Sequence, residues 1–305
     1  MNKTVKILTV VSIFSLFLFG SSAFAGVQHN AQVGATYHPM DRNRFEAGWL
    51  IGQRVNGRAS DYIGQISNLV IDQANDRVAL VILSHVPGFG ADQVAIPYGC
   101  LERNDTHTFT LRFPLMETAY VNNREDPDLY LLRQYPSDSP LYRIPQPIDP
   151  NWVAEVYRTY GLGEPYWTEK GERAPSATDF YRSTQLMGTR VQATEGKVKA
   201  RISDLMIDSF SGHVTLLALS DVKGGGDNLV AVPFDVLNRT GRGTFTLNIT
   251  GNQLASAPSF HKSDMNKRGY AKNVYKFFGL RPLWTEGGYT GGVNPYRWGG
   301  EAQNF

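Results

Sequence analysis

The chain is short of the residues that most directly announce chemistry. Cys100 is the single cysteine in 305 residues, so no internal disulfide can form and no pair of thiolates is available for zinc or haem. The six histidines, His29, His38, His85, His107, His213 and His261, include no His-x-x-x-His or Glu-x-x-His pair. There is no Gly-x-Ser-x-Gly elbow and no phosphate loop; Gly224-Gly225-Gly226 lacks the helix such a loop would need. Glu125-Asp126-Pro127-Asp128 lacks the spacing and turn glycine of a calcium loop and reads as a solvated loop. No charge dominates: 30 Lys and Arg stand against 28 Asp and Glu. That balance leaves no basic stripe for nucleic acid. These absences argue against an enzyme, a resident cofactor and a metal.

Long apolar runs are also missing, with one exception. Lys3 and Lys6 precede an apolar stretch over Ile7–Gly20, and Ser21-Ser22-Ala23-Phe24-Ala25 places small residues before a cut after Ala25. This pattern predicts a cleavable secretory signal over residues 1–25, too short for a membrane span. Its removal takes away two lysines and leaves 28 basic against 28 acidic residues. The expected location is the periplasm or the extracellular space, with no stable membrane insertion afterwards.

What the sequence does have is a repeat. Residues 51–111 align without a gap on residues 187–247, at a constant offset of 136, with about two dozen identical pairs. Gly52/Gly188, Arg54/Arg190, Ile66/Ile202, Asp72/Asp208, Pro97/Pro233 and Phe109/Phe245 are among them. A constant offset means that no loop inside the unit has changed length, so the chain carries two copies of one small fold. Cys100 corresponds to Val236, which predicts a small buried hydrophobe and not a reactive thiol.

Each copy reads as short β-branched runs separated by turns, which predicts a mainly β fold of two tandem small barrels. In the first, Tyr62–Asp72 changes its apolar phase between Ile66 and Leu69, which predicts a bend or bulge. Val78–Val86 is almost continuously apolar and predicts a central strand. Asp72 and Asp208 open four-residue turns, where a carboxylate accepts from the turn backbone. Pro97 and Pro233 suit a strand edge or bulge. Gly52 and Gly188 suit a positive φ or a close backbone approach.

A short helix follows each barrel. The first is expected over 150–160, from an Asp149 cap and Pro150 to Gly161, with Val153, Val156, Tyr157 and Tyr160 on one face. The second is expected over 264–278, capped by Gly279, with Ala271, Val274, Tyr275 and Phe278 on its face. A Trp-Thr-Glu tag ends each unit, at Trp167 and Trp284. The organisation expected is a segment 26–46, a first repeat 47–169, a polar linker 170–183, a second repeat 184–286, and a Gly and aromatic tail 287–305. Residues 120–149, about eighteen longer than their counterpart, read as a long loop or extended segment.

Leu50-Ile51-Gly52-Gln53-Arg54-Val55, Gly64–Asp72, Arg77-Val78 with its apolar run, and Val94-Ala95-Ile96-Pro97-Tyr98 together resemble the PRC-barrel family. The second copy resembles it through Leu186–Val191, Ile202–Asp208, His213–Leu219 and Val230–Phe234. That family includes the cytoplasmic domain of the photosynthetic reaction-centre H subunit and the C-terminal domain of a ribosome maturation factor. The resemblance implies small barrels that dock on other proteins and share no active site. For an exported chain it implies a binding or assembly module of the bacterial envelope, with a protein partner. Two other readings stay open: a ligand- or metal-responsive sensor with its site between the barrels and 120–149 as a lid, and an accessory of a membrane redox complex. Tyr289, Tyr296, Trp298, Trp167 and Trp284 are the candidate contacts, because Trp and Tyr concentrate at binding surfaces. For Trp167 and Trp284 the competing role is to pin each helix to its barrel.

Overall fold

In the computed structural model the described residues are 44–281, apart from 89–92, 104–107, 113–126, 136–137, 169–171, 196–197, 210, 223–228, 242–243 and 268, together with 284–285 and 288–289. The first repeat contains β1 (Arg44–Glu46), α1 (Ala47–Leu50), β2 (Arg54–Asn56), β3 (Tyr62–Asp72), β4 (Arg77–Ser84), β5 (Val94–Pro97), β6 (Leu101–Arg103), β7 (Thr108–Leu111), α2 (Pro127–Gln134) and α3 (Pro150–Thr159). The second contains β8 (Phe180–Arg182), α4 (Ser183–Leu186), β9 (Arg190–Glu195), β10 (Lys199–Asp208), β11 (Val214–Ser220), β12 (Leu229–Pro233), β13 (Leu237–Gly241), β14 (Thr244–Thr250), α5 (Gly251–Ala255), β15 (Ser259–Phe260) and α6 (Tyr270–Phe277). The fold is two barrel-like sheets with few helices, as the sequence predicts.

Both sheets follow one plan. Strands run in the order β5-β4-β3-β2-β7-β6 in one and β12-β11-β10-β9-β14-β13 in the other, with β15 added outside β12. β2 pairs with β7, and β9 with β14, in parallel; the other neighbours are antiparallel. The phase change read from the sequence is a register shift between Ile66 and Asn68, matched by one between Ile202 and Asp204. β4 is buried from Arg77 to Leu83, as its apolar run requires.

The helices are docked by the same device in each half. Tyr157 donates its hydroxyl to the Ala79 carbonyl, 3.1 Å away, and Tyr275 donates to the Thr215 carbonyl at 3.1 Å. Ala79 and Thr215 are repeat partners, so each helix is hydrogen-bonded to the same point of its own central strand. Each helix also ends alike: Gly161 and Gly279 take φ of 73° and 71°, and the amides of Leu162 and Leu280 bond to the Tyr157 and Tyr275 carbonyls. Asp149 caps α3 by accepting from the Asn151 amide.

Three expectations need correction. The second helix starts at Tyr270, not at 264, because Gly269 at φ 76° interrupts the chain after a separate turn at Lys262–Asp264. The 120–149 segment is not simply a loop: Pro127–Gln134 is helical, with Leu129 and Leu132 buried. Asp128, read as part of a solvated loop, is fully buried there; the Arg58 amide donates to its carboxylate at 2.9 Å, and the Arg58 guanidinium pairs with it at 3.3 Å.

The third correction concerns residues 170–183. They do not end as a free linker, because β8 joins the sheet of the first repeat, with Val70, Ile71 and Asp72 opposite Arg182, Tyr181 and Phe180. The reciprocal pairing also exists: β1 joins the sheet of the second repeat, with Met206, Ile207 and Asp208 opposite Glu46, Phe45 and Arg44. The two sets are related by the offset of 136, so the repeats exchange their leading strands. Between them the two copies meet at equivalent residues, Arg77 opposite His213. The Val78 amide donates to the Gly212 carbonyl and the Val214 amide to the Asp76 carbonyl, at 2.9 and 2.7 Å.

Side chains complete the joint. Asn68, at the bulge of β3, accepts from the Ser183 hydroxyl at 3.0 Å and donates to the Thr184 hydroxyl at 2.7 Å, so it holds the start of α4. Its counterpart Asp204 accepts from the Gly48 amide of α1 at 3.0 Å. Each bulge therefore aims one polar side chain at the helical turn that arrives with the exchanged strand.

Ile71 and Ile207 are fully buried at the centres of the exchanged ladders. Replacing either by Ala is expected to cost about 2–5 kcal/mol. Scanning calorimetry should show both barrels unfolding in one transition, lowered by either substitution. Two separated transitions, each sensitive to one substitution only, would contradict the joint.

Candidate functional site

The first place to look is the turn after β3, where ionisable groups are buried together. Asp72 accepts from the Ala74 amide at 2.8 Å, the Asn75 side-chain amide at 2.7 Å and the Tyr166 hydroxyl at 2.8 Å. Asn75 in turn bonds both the carbonyl and the amide of Arg173. Arg77 lies over the Tyr166 ring, 4.4 Å from its centre, and reaches Glu172 at 3.4 Å and the Ser211 carbonyl at 3.4 Å. Burial raises the Asp72 carboxyl to about 6, against the opposing pull of Asn75, Tyr166 and Ala74. Asp76 is raised well above the ordinary range, first by burial and then by Asp235, Asp72 and Glu172.

Raised acids can mark an active site. Here Asp72 is sealed: it is fully buried, and Arg77 and Tyr166 nearly so, whereas Asp76 beside it is half-buried. Their partners are turn backbone and the segment that leads to β8, so the cluster clips that segment to the first barrel. Asp208 plays the simpler part in the second repeat, accepting from the Ser211 amide and hydroxyl. Both aspartates accept from the backbone of the turns they open, Asp72 from Ala74 and Asp208 from Ser211.

The other motif residues also have structural work. Gly52 and Gly188 take φ of 95° and 83°, and their amides reach the Ile66 and Ile202 carbonyls at 2.7 Å each. Pro97 ends the edge strand β5, and Pro233 ends β12 beyond its pairing with β15. Cys100 is buried, with its thiol pushed up by desolvation, so it is held away from the reactive thiolate form. Among the described residues no three His, Cys, Asp or Glu side chains gather as a metal group, and no helix is long and apolar enough to cross a membrane.

Of the aromatic contact candidates, Trp167 is half-buried, its ring edge-on to Tyr166 and Phe180 and tilted on Tyr157. It links α3 to β8. Trp284 and Tyr289 are paired across a small antiparallel ladder. Tyr296 and Trp298 lie outside the described residues, as do His29, His38, His107, the three glycines at 224–226 and the signal segment.

An open groove of about 770 Å³ lies in the second repeat, close to the exchanged strand. One wall is Gln146, Pro147 and Ile148, from the long segment that precedes α3. The floor is Tyr181 and Phe245, with ring centres 5.1 Å apart, and Arg239 beside them. Arg239 is oriented by donating to the Thr178 carbonyl at 2.8 Å and the Gly241 carbonyl at 3.0 Å. Sequence reasoning missed this site. The available signal was that Arg103/Arg239 and Phe109/Phe245 are identical in both copies without an obvious turn or core role.

The PRC-barrel domain model matches the chain twice, over residues 42–113 and 178–254. Both matched segments begin just before an exchanged strand. No curated protein matches the chain.

The sealed Asp72 predicts a pH dependence. Asp72 is ordinarily ionised above 3.8, but in the fold only above about 6. Folding therefore takes up a proton in that interval, and stability is full below it and falls as pH rises through about 6. The fall from this group is on the order of 3 kcal/mol. Urea midpoints measured from pH 4 to 7 should show the decline, and Asp72→Asn should reduce it. A stability that rises over that range would refute the assignment.

Proposed function

With two PRC-barrel domains in one chain as the premise, we propose that this protein is a non-catalytic docking module of the bacterial envelope, exported by its N-terminal signal, that holds a protein partner. The observation that carries the reading is the exchanged-strand joint. It fixes two copies of one small barrel in a single relation, and the buried Asp72 carboxylate is committed to the joint itself. What remains for function is surface. The family supports a β-barrel module that is generally non-catalytic, and the Gly and aromatic tail 287–305 adds Tyr and Trp suited to contact.

A second reading has one observation in its favour. The groove lies where the 120–149 segment meets the second repeat, which is where a small-ligand sensor would place its site.

The test is crosslinking of the full chain in living cells, with partners identified by mass spectrometry and the processed N-terminus read from the same sample. The expected result is a chain beginning at Gly26 in the envelope fraction, joined to one dominant protein. Deletion of 287–305 is expected to weaken that capture several-fold. Defined turnover of a small substrate by the purified chain, or a cytoplasmic unprocessed pool without partners, would overturn the proposal.

A further inference from the structure

The two repeats differ at the aromatic stack beside each exchanged strand. In the first, the Phe45 ring meets Phe109 edge-on at 6.0 Å, and Arg103 lies over it at 4.7 Å. In the second, the corresponding Tyr181 meets Phe245 at 5.1 Å, and Arg239 lies over it at 5.8 Å. The offset of 136 relates all three pairs, so the same seat is built twice. In the first repeat a fourth residue fills it: the Trp49 indole stacks on Phe45 at 5.0 Å and 21°, and meets Phe109 at 6.4 Å. The residue equivalent to Trp49 is Gln185. Its side chain is exposed and turned back to its own helix, accepting from the Arg182 amide at 3.0 Å. The groove described above lies over this unfilled seat, with Gln185, Tyr181, Arg239 and Phe245 all in its lining.

Two further features bear on the occupant. Among the described residues the groove is lined by two arginines, Arg182 and Arg239, and by no acidic residue. Among the described residues, the Tyr181 hydroxyl, on a side chain only 8% exposed, finds no hydrogen-bond partner, and neither does the buried Nε of Arg182. An unpaired buried polar atom is costly unless a ligand or water answers it. Phe45 in the filled seat carries no hydroxyl, so the polar atom belongs to the open seat alone.

We infer that the open seat of the second repeat receives an aromatic side chain, a Trp above all, from a partner segment that places an acidic residue beside it. Trp49 shows within the same molecule what the seat accommodates. Arg182 and Arg239 answer the neighbouring carboxylate, and the Tyr181 hydroxyl donates to an acceptor on the incoming chain. The inference rests on the docking reading and names the chemistry of what docks.

The probe is the blocked tripeptide acetyl-Asp-Trp-Asp-amide, titrated calorimetrically into the full chain, with acetyl-Asp-Ala-Asp-amide as the control. The expected result is one site per chain for the Trp peptide, and binding at least about tenfold weaker for the Ala peptide, as loss of an aromatic pair implies. Gln185→Trp supplies the missing indole from within; it should abolish peptide binding and raise the melting temperature. Tyr181→Phe, which copies the filled seat, should weaken binding several-fold and decides the matter if Gln185→Trp does not fold. Equal binding of the two peptides, undiminished binding to folded Gln185→Trp, or unchanged affinity in Tyr181→Phe would each overturn the inference. If the peptide does not bind while the same partner is crosslinked in cells to wild type and to Gln185→Trp, this inference fails and the docking reading stands. Absence of any crosslinked partner would remove the docking reading itself, whereas the peptide titration still judges the seat.

Discussion

The exchange of leading strands is the constraint on which the rest of the molecule depends. β3 is eleven residues long, and β2 covers only its first part, opposite Tyr62 to Gln65. The last three residues would otherwise present open hydrogen-bonding groups, which invite association with other chains. β8 closes that stretch, and β1 closes the matching stretch of β10. Neither barrel completes its sheet alone. The side chains then tie each exchanged strand the other way, since Phe45 and Tyr181 pack on Phe109 and Phe245 of their own repeats. Backbone pairing to one barrel and ring packing to the other make each short strand a bridge.

Several features follow from this arrangement. The register shifts at Asn68 and Asp204 lie where those side chains reach the starts of α4 and α1. The buried cluster around Asp72 fastens the segment that delivers β8, with Tyr166 and Arg173 supplying partners from that segment. The pairing of Arg77 with His213 is where one copy meets the other directly. A buried acid raised in this way disfavours folding at neutral pH, and the hydrogen bonds that hold it partly offset that cost. The position is tolerated because the joint needs the acceptors that Asp72 provides.

Legibility followed locality. The repeat, the central strands, the bulge, the docking faces of the helices and their glycine ends are all encoded within a few residues and could be read directly. Tyr157 and Tyr275 were visible as face residues, but their bonds to Ala79 and Thr215 were not, since those partners lie far away in sequence. β1 and β8 were missed for the same reason. Each has three residues, too few for a period, and pairs with a strand from the other copy. A trace existed: Phe45 and Tyr181 keep the offset of 136 beyond the aligned core. The start of α6 differs from the expected 264 because Lys262–Asp264 forms a separate turn and Gly269 sets the real boundary through its positive φ. The groove left only the identities Arg103/Arg239 and Phe109/Phe245 in the sequence, because the convergence of Tyr181, Phe245 and Arg239 that forms it is set by the fold.

Fusion of two copies has a consequence that a symmetric dimer would lack. In an isologous pair both seats would be identical, either both filled or both open. A tandem chain can let one position drift without the other. Filling the first seat with Trp49 adds aromatic packing where the first exchanged strand arrives, and the benefit reaches both barrels because they share the joint. The second repeat can then leave its seat open without losing the whole joint. The asymmetry between Trp49 and Gln185 is therefore more informative than the many identities around it. Identities report what both halves need in order to fold, and a difference at a position of otherwise equal geometry shows where the halves have divided their roles. On that argument the docking surface we propose belongs to the second repeat, with the two arginines and the hydroxyl that line its groove.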